Sequence, residues 1–487
     1  MSGIKLPKLT KVTSKNENKP TILLLGDDLR MHSGIATMSR EFVYGTLDRF
    51  NWVQLGAGLN HPDHGKVFDM SSDAQKTTGV EDAYLKLYAH NGYGNAKVLQ
   101  EILNIENPVA IIHFTDPRFW IWLYQIEHEI RQQIPILYYN IWDDLPYPHW
   151  NKPYYESCDS LICISRQTEN IVKNIIDMDS REPWQVSWVP HGVNHNVFRK
   201  LDENDKDWDE YQKFIEQFKL NNDPEFIVFW NNRNIRRKNP ADVILAFKYF
   251  CDTLPAEKAK KCYLLMHTAP NDPNGTDLFA VKNTLCPNYN VIFSNSQVDS
   301  KIMNFYYNMA DVTVNIASNE GFGISWLESL MSETPIINNV TGGLQDGCRF
   351  EDENGDWIKF TTDFPSNHTG KYKNHGKWAF PVFPASRSVQ GSPQTPYIFD
   401  DRVNYEDVGH AIKLVYELPS EVRKTIGKAG RDWAMSSEAN MSAEAMSNGI
   451  ADAINTCLQN WKPKQPYTMT KVTAINENKP TGVLNYE

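Results

Sequence analysis

Residues 317–343 read ASNEGFGISWLESLMSETPIINNVTGG, a succession of strand end, loop, helix, strand and loop. The run DVTVNIA at 311–317 is apolar and β-branched, as a buried strand requires, and it ends in polar Ser318 and Asn319. Glu320-Gly321-Phe322-Gly323 then opens a helical segment, ISWLESLM, ahead of the short apolar PII at 335–337. Glycines at a helix start let backbone N–H groups approach a ligand closely, and a helix N-terminus attracts anions. That geometry suits a phosphate. Glu328 follows Glu320 by eight positions, which sets it about two turns into the helix. One acid reaches a group beyond the helix tip while the other reaches something alongside it, the layout of a nucleotide sugar with hydroxyls at both ends. The plain alternative is that Glu320 caps the helix and Glu328 is a solvated helix residue.

EGFGISWLE followed by TPIINNVTGG resembles the E-x(7)-E signature of the retaining glycosyltransferases of family four, whose members have the GT-B fold. The resemblance implies that Glu320 holds the donor sugar, that the loop amides of Phe322, Gly323 and Ile324 hold sugar and phosphate, and that Glu328 holds the ribose.

The chain of 487 residues, 41% hydrophobic and 22% charged, has the size of two or three domains and the composition of an ordinary water-soluble protein. It contains no apolar run near 18 residues and no basic-then-apolar leader, so a cytoplasmic protein without a membrane span is expected. Seven scattered cysteines without a C-x-x-C pair read as reduced, packed thiols. A net charge of -11 opposes nonspecific binding to nucleic acid unless a local basic patch overcomes it.

Along the chain, TILLLG at 21–26 is a buried strand leading into a loop with Ser33-Gly34, the place where a first strand-to-helix turn binds phosphate or sugar. Family-four enzymes often have two glycines there and this chain has one, so Gly34 is read either as a donor contact or as a plain turn residue. PVAIIHF at 108–114 ends in His113, with Asp116 just beyond. Strand C-termini line the crevice of open α/β sheets, and the resemblance implies a histidine here that touches the donor sugar. A buried, satisfied histidine is the alternative, and Asp116 competes for the role. PILYYNIW at 135–142 ends in Asp143 and Asp144, candidates for acceptor hydroxyls or for capping a turn. The segment from Pro190 resembles the family's end of the first domain, with Asn194 in place of the usual acid and His191 and Gly192 read as turn structure.

The second half begins with FIVFW at 226–230 and the basic run Arg233, Arg236, Arg237, Lys238. Such a cluster neutralises a diphosphate, Arg with a forked donor and Lys with a point charge, unless it is only a solvated basic turn. Arg233 and Lys238 have the spacing of the family's Arg and Lys that stabilise the departing nucleotide diphosphate. CYLLMHT at 262–268 ends in His267, where the family shows glycines. Residues 345–400 lack clear periodicity and read as an acceptor-binding or domain-bridging loop. TKVTSKNENKPT at 10–21 returns as TKVTAINENKPT at 470–481, a local duplication.

The expected architecture is therefore α/β GT-B, two doubly wound Rossmann-like domains facing a central cleft. Residues 1–200 form the acceptor-side domain, 201–223 a linker, 224–435 the nucleotide-sugar domain with the 345–400 insertion, and 436–487 a helix packing back on the first domain plus a tail. The resemblance implies transfer from a nucleotide diphosphate sugar, UDP- or GDP-linked, with no metal and no further cofactor. The acceptor stays open among a glycan, a protein and a modified DNA base. A nonhydrolysing sugar-nucleotide epimerase and a noncatalytic sugar-nucleotide-binding protein compete for the same fold. GDDLRMHSGIATMSRE, HFTDPRFW, NIWDDLPYP and NNRNIRRK also resemble glycosyltransferases of tailed marine phages, which would make the compartment a host cytoplasm.

Overall fold

In the computed structural model, residues 13–219, 224–358 and 370–466 are described. The first sheet contains β1 (Thr21–Asp27), β2 (Asn51–Gly58), β3 (Val67–Asp69), β4 (Leu85–Asn91), β5 (Ala110–Phe114), β6 (Ile136–Asn140), β7 (Ser160–Cys163) and β8 (Val186–Trp188). Their order is β3-β4-β2-β1-β5-β6-β7-β8, and every pair is parallel except β3 with β4. Parallel strands covered on both faces must be apolar throughout rather than alternating, which is why β1 and β5 read as continuous hydrophobic runs. β1 lies between β2 and β5, so the chain order reverses there and opens a crevice at the strand C-termini.

The second sheet, β11-β10-β9-β12-β13-β14, is wholly parallel. It is built from β9 (Phe226–Asn231), β10 (Cys262–His267), β11 (Asn290–Ser294), β12 (Val312–Asn315), β13 (Ile336–Asn339) and β14 (Ala379–Val382). Its reversal falls between β9 and β12, the two strands that carry the basic run and the paired glutamates at their ends.

The segment 345–400, read as an acceptor-binding or domain-bridging loop, contains regular structure. The segment contributes most of a short helix (Leu344–Cys348), then β14 and a hairpin of β15 (Ser386–Ser392) and β16 (Thr395–Arg402). β14 is AFPV, too short to show a period, and β15 is exposed along its length and polar but for Val389. Residues 359–369 lie outside the described residues. The hairpin joins the two domains. Phe399 N donates to Leu145 O (2.7 Å), Tyr397 OH donates to Tyr147 O (3.2 Å), and the Tyr397 ring meets Trp150 edge-on at 4.3 Å. On the other side Asp401 accepts from Thr341 Oγ1 (2.9 Å) and, at its carbonyl, from Asn339 Nδ2 (3.0 Å).

After β8 the chain crosses between domains. Arg199 N and Leu201 N donate to the side chains of Asn304 (3.1 Å) and Asn308 (2.9 Å) on the helix Ser300–Met309. Within the stretch 201–223, whose weak helical period suits a surface helix or a linker, Trp208–Lys219 is a helix that buries Tyr211 against Phe305, and 220–223 lie outside the described residues. A long helix, Ala443–Asn460, returns to the first domain. It buries Met446, Ile450, Ile454 and Cys457 in the core that contains Phe42 and Val43, and Arg49 donates to its Asn448 (2.5 Å). Residues 10–12 and 470–481 of the duplicated segment fall outside the described residues. All seven cysteines are buried free thiols. Among the described residues no helix is long and apolar enough to cross a membrane.

Candidate active site

The loop after β12 is shaped by backbone that only glycine tolerates. Gly323 has φ +81, and a Cβ there would come 2.6 Å from Leu344 Cδ2. A Cβ on Gly343 would come 2.1 Å from Gly321 O, so the loop at 341–343 lies flat on the first, and Gly343 N donates to Glu320 O at 2.8 Å. Gly323 caps the helix Ile324–Met331. Phe322 is buried, its ring 5.0 Å from that of Trp326, whose indole N–H donates to Phe322 O (2.6 Å). The first N–H groups of this helix, beginning at Ile324, have no partner within it.

Glu320 is held from two sides. Arg237 Nη1 donates to Glu320 Oε2 (2.5 Å) and to Asn319 O (2.7 Å), and Lys238 Nζ bonds the same Oε2. Both cations come from a short 3-10 turn, Arg236–Lys238, beyond β9. Arg237 O in turn accepts from Ser318 N (2.7 Å), and Asn239 donates to Ile316 O (3.0 Å). The adjacency of β9 and β12 thus brings basic turn and acidic loop together. Burial alone would raise the Glu320 pKa, yet the charges of Lys238 and Arg237 hold it down to about 2. Lys238 is lowered to about 8 by burial and by the neighbouring Arg237, against the pull of Glu320.

Arg233, paired with Lys238 on sequence spacing, is not brought to this cluster. Its side chain is 64% exposed and pairs with Asp272 at 2.8 Å. The cause lies in Asn234, whose amide donates to Ala269 O, Pro270 O and Thr276 O (3.2, 3.1 and 2.7 Å) and ties that part of the loop toward β10. Arg237, and not Arg233, joins Lys238 on Glu320.

Across the cleft, Asp143 follows β6. A Cβ added to Gly321 would come 2.8 Å from Ile141 O and 3.7 Å from Asp143 Cβ, so the glutamate loop rests against this strand end. Burial raises Asp143 to about 6, with Arg237 opposing and Glu320 adding to the effect. Asp144 is buried, and burial together with the Asp143 charge raises it well above the carboxylate range.

Glu328 is half-buried on the helix. Its Oε2 accepts from Tyr307 OH (2.7 Å), which in turn accepts from Asn231 Nδ2 (3.0 Å). Burial pushes its pKa up to about 7, with the Tyr307 bond opposing. His267 sits beside Asn231 in register. Its Nδ1 meets Ser294 Oγ (3.1 Å), which meets Tyr306 OH (2.8 Å), and burial lowers its pKa.

The first domain departs furthest from expectation. His113 is wholly buried in the core of that domain, stacked on Tyr138 (4.9 Å) beside Trp120 (5.4 Å), with Nδ1 bonded to Tyr124 OH (2.9 Å). Burial lowers it to about 3; with no exposed surface it does not line the crevice as expected, and its placement is that of a core histidine. Its neighbour Phe114 points to the opposite face, where it packs on Tyr139 and His191 (4.8 and 5.7 Å). His191 is the histidine at the domain junction. It is bonded to Tyr139 OH (2.9 Å), lies 5.2 Å from the Phe322 ring and is lowered to about 3 by burial. Only its position just after a strand end hinted at this. Asp116 caps the turn Pro117–Trp120 and is committed to Arg118 through its N–H (3.0 Å) and Nε (2.9 Å). Gly34 begins the helix Gly34–Tyr44 beside open space. Ser33 caps that helix, accepting from Ala36 N (3.0 Å) and donating to Asp27 (2.7 Å).

Residues 210–361 match the family model described as glycosyl transferases group 1, a span that includes Arg237, Lys238, Glu320 and Glu328. No curated protein matches the chain. Among solved structures, Anabaena HepE in complex with UDP and glucose aligns with a TM-score of 0.61 at 12% identity, covering 90% of this chain and 100% of that one. Sucrose-phosphate synthase from Thermosynechococcus elongatus aligns at 0.62 and 15%, covering 91% and 100%. A trehalose 6-phosphate synthase from Burkholderia multivorans aligns at 0.56 and 8%, covering 91% and 99%. The chain has the GT-B fold, with two Rossmann-like domains.

Proposed function

We propose that the protein is a retaining glycosyltransferase that moves a sugar from a nucleotide diphosphate sugar to an acceptor hydroxyl. The convergence of Arg237 and Lys238 on Glu320, at the start of a helix that also carries Glu328, is the observation that supports this reading most. In the reaction the bond from the anomeric carbon to the diphosphate oxygen breaks and its electron pair stays on that oxygen. Arg237, Lys238 and the helix N–H groups offset the developing charge, the electrostatic stabilisation on which such a step depends. The acceptor oxygen bonds to the same face of the anomeric carbon, and its proton passes to the leaving phosphate. Glu320, kept ionised by its two cations, accepts sugar hydroxyls, while Glu328 accepts from the ribose. Asp143, just beyond β6 and against the glutamate loop, is the group offered to an acceptor hydroxyl. The net charge of -11 favours a hydroxyl-rich acceptor, a glycan or a protein, over a phosphodiester chain.

The test is release of nucleotide from UDP- and GDP-linked hexoses, with and without EDTA, together with the anomeric configuration of the product by NMR. Turnover that persists in EDTA with retained configuration is expected. Strict dependence on Mg or Mn, or inversion at the anomeric carbon, would overturn the proposal.

A further inference from the structure

Tyr307 is fully buried, with its ring edge-on to Phe229 at 5.0 Å and 6.0 Å from Phe198. A phenol packed in this way has no second rotamer open to it, so its oxygen is a fixed point. That oxygen makes two bonds, to Asn231 Nδ2 (3.0 Å) and to Glu328 Oε2 (2.7 Å). An amide N–H only donates and a phenol carries one proton, so the chain has one direction: Asn231 donates to Tyr307, and Tyr307 donates to Glu328. One oxygen of Glu328 is thereby occupied from inside the protein, and the carboxylate is held ready to accept at the other. The adjacent Tyr306 bonds Ser294, which bonds His267. Two successive tyrosines of one helix therefore brace the two polar side chains at the mouth of β9 and β10.

We propose that Tyr307 is a positioning residue that fixes the Glu328 carboxylate for the diol of a ribonucleoside, making the site selective for ribo- over 2′-deoxyribonucleoside diphosphates. This rests on the reading of Glu328 as the ribose ligand. Glu328 alone, on a flexible side chain, would sample several orientations. Tyr307 removes that freedom before the donor arrives, which is the usual source of affinity in a preorganised site.

The experiment measures binding of UDP and GDP, and of the 2′-deoxy counterpart of whichever binds tighter, by calorimetry to wild type, Y307F, E328Q and Y307F/E328Q. Y307F should weaken the ribonucleotide about tenfold and the deoxynucleotide much less, so that the ratio of their affinities falls. Donor KM should rise while kcat holds, because the reacting bond lies at the Glu320 end. In the E328Q background Y307F should cost nothing more, since it acts through Glu328. N231A leaves the aromatic packing intact and should shift the ratio in the same direction, which decides the matter if Y307F unfolds. A wild-type ratio in these variants, or an additive loss in the double variant, overturns the role of Tyr307 alone. A wild-type protein that binds neither UDP nor GDP overturns the reading of Glu328 as well.

Discussion

Arg237 and Lys238 share one oxygen of Glu320, while Arg233 lies exposed against Asp272. If the two shared cations carry the leaving diphosphate, R237A and K238A should each lower kcat/KM by roughly 10-fold to 1000-fold. R233A should change it by less than about threefold, because an exposed pair contributes little. Steady-state kinetics on the three variants checks this, and a loss in R233A equal to that in K238A would restore the sequence-based pairing. The acids and the basic run were readable as residue types at fixed spacing. Which arginine arrives was not, since that depends on Asn234 bonding carbonyls as far away as Thr276. The histidines failed for a related reason. β5 is buried on both faces, so its sequence carries no alternation to say that His113 points into the core and Phe114 toward the other domain.

At the level of elements, the alternation of strand and helix gave both sheets away, because doubly covered parallel strands have an unmistakable composition. β14 and the β15–β16 hairpin were hidden, one by brevity and the other because its stability comes from contacts across the cleft rather than from an apolar face. This refines what can be removed. β14 belongs to the second sheet, but the hairpin stands outside both. Replacing residues 387–400 by a short Gly-Ser turn should leave nucleotide affinity within about twofold and lower transfer to the acceptor at least about tenfold, since the donor contacts lie elsewhere and the hairpin touches the Asp144 side. Calorimetry for the nucleotide and product formation for the acceptor separate the two effects. Undiminished transfer would show the hairpin to be dispensable for the reaction.

For the molecule as a whole, the docking of the domains contains a buried carboxyl. Asp346, on the second domain, accepts from Arg166 N (3.0 Å) at the start of a first-domain helix, with the Arg166 guanidinium over Trp188 (3.7 Å). Burial raises Asp346 to about 7, with Arg166 opposing. A folded-state pKa above the unfolded value means that the group's contribution to stability is complete below about pH 4 and is lost as the pH rises toward 7. D346N cannot ionise and keeps the acceptor for Arg166. Its melting temperature relative to wild type should therefore climb between pH 4 and 7 and stay level above, as followed by differential scanning fluorimetry. A difference that is flat across that range would mean the carboxyl ionises as freely folded as unfolded. The chain also passes between the domains twice, and the two passages run side by side. Val193 N donates to Met441 O (3.1 Å), Ala443 N donates to Val193 O (3.0 Å), and Arg431 donates to Phe198 O (3.1 Å). Two bodies joined by one cord can tumble freely, whereas two bodies pinned at adjacent points, like a door on its hinges, keep a single swing. Whatever opening admits a substrate here must turn about that line, so the far lip of the cleft travels most and the hinge side, with its buried backbone bonds, hardly moves.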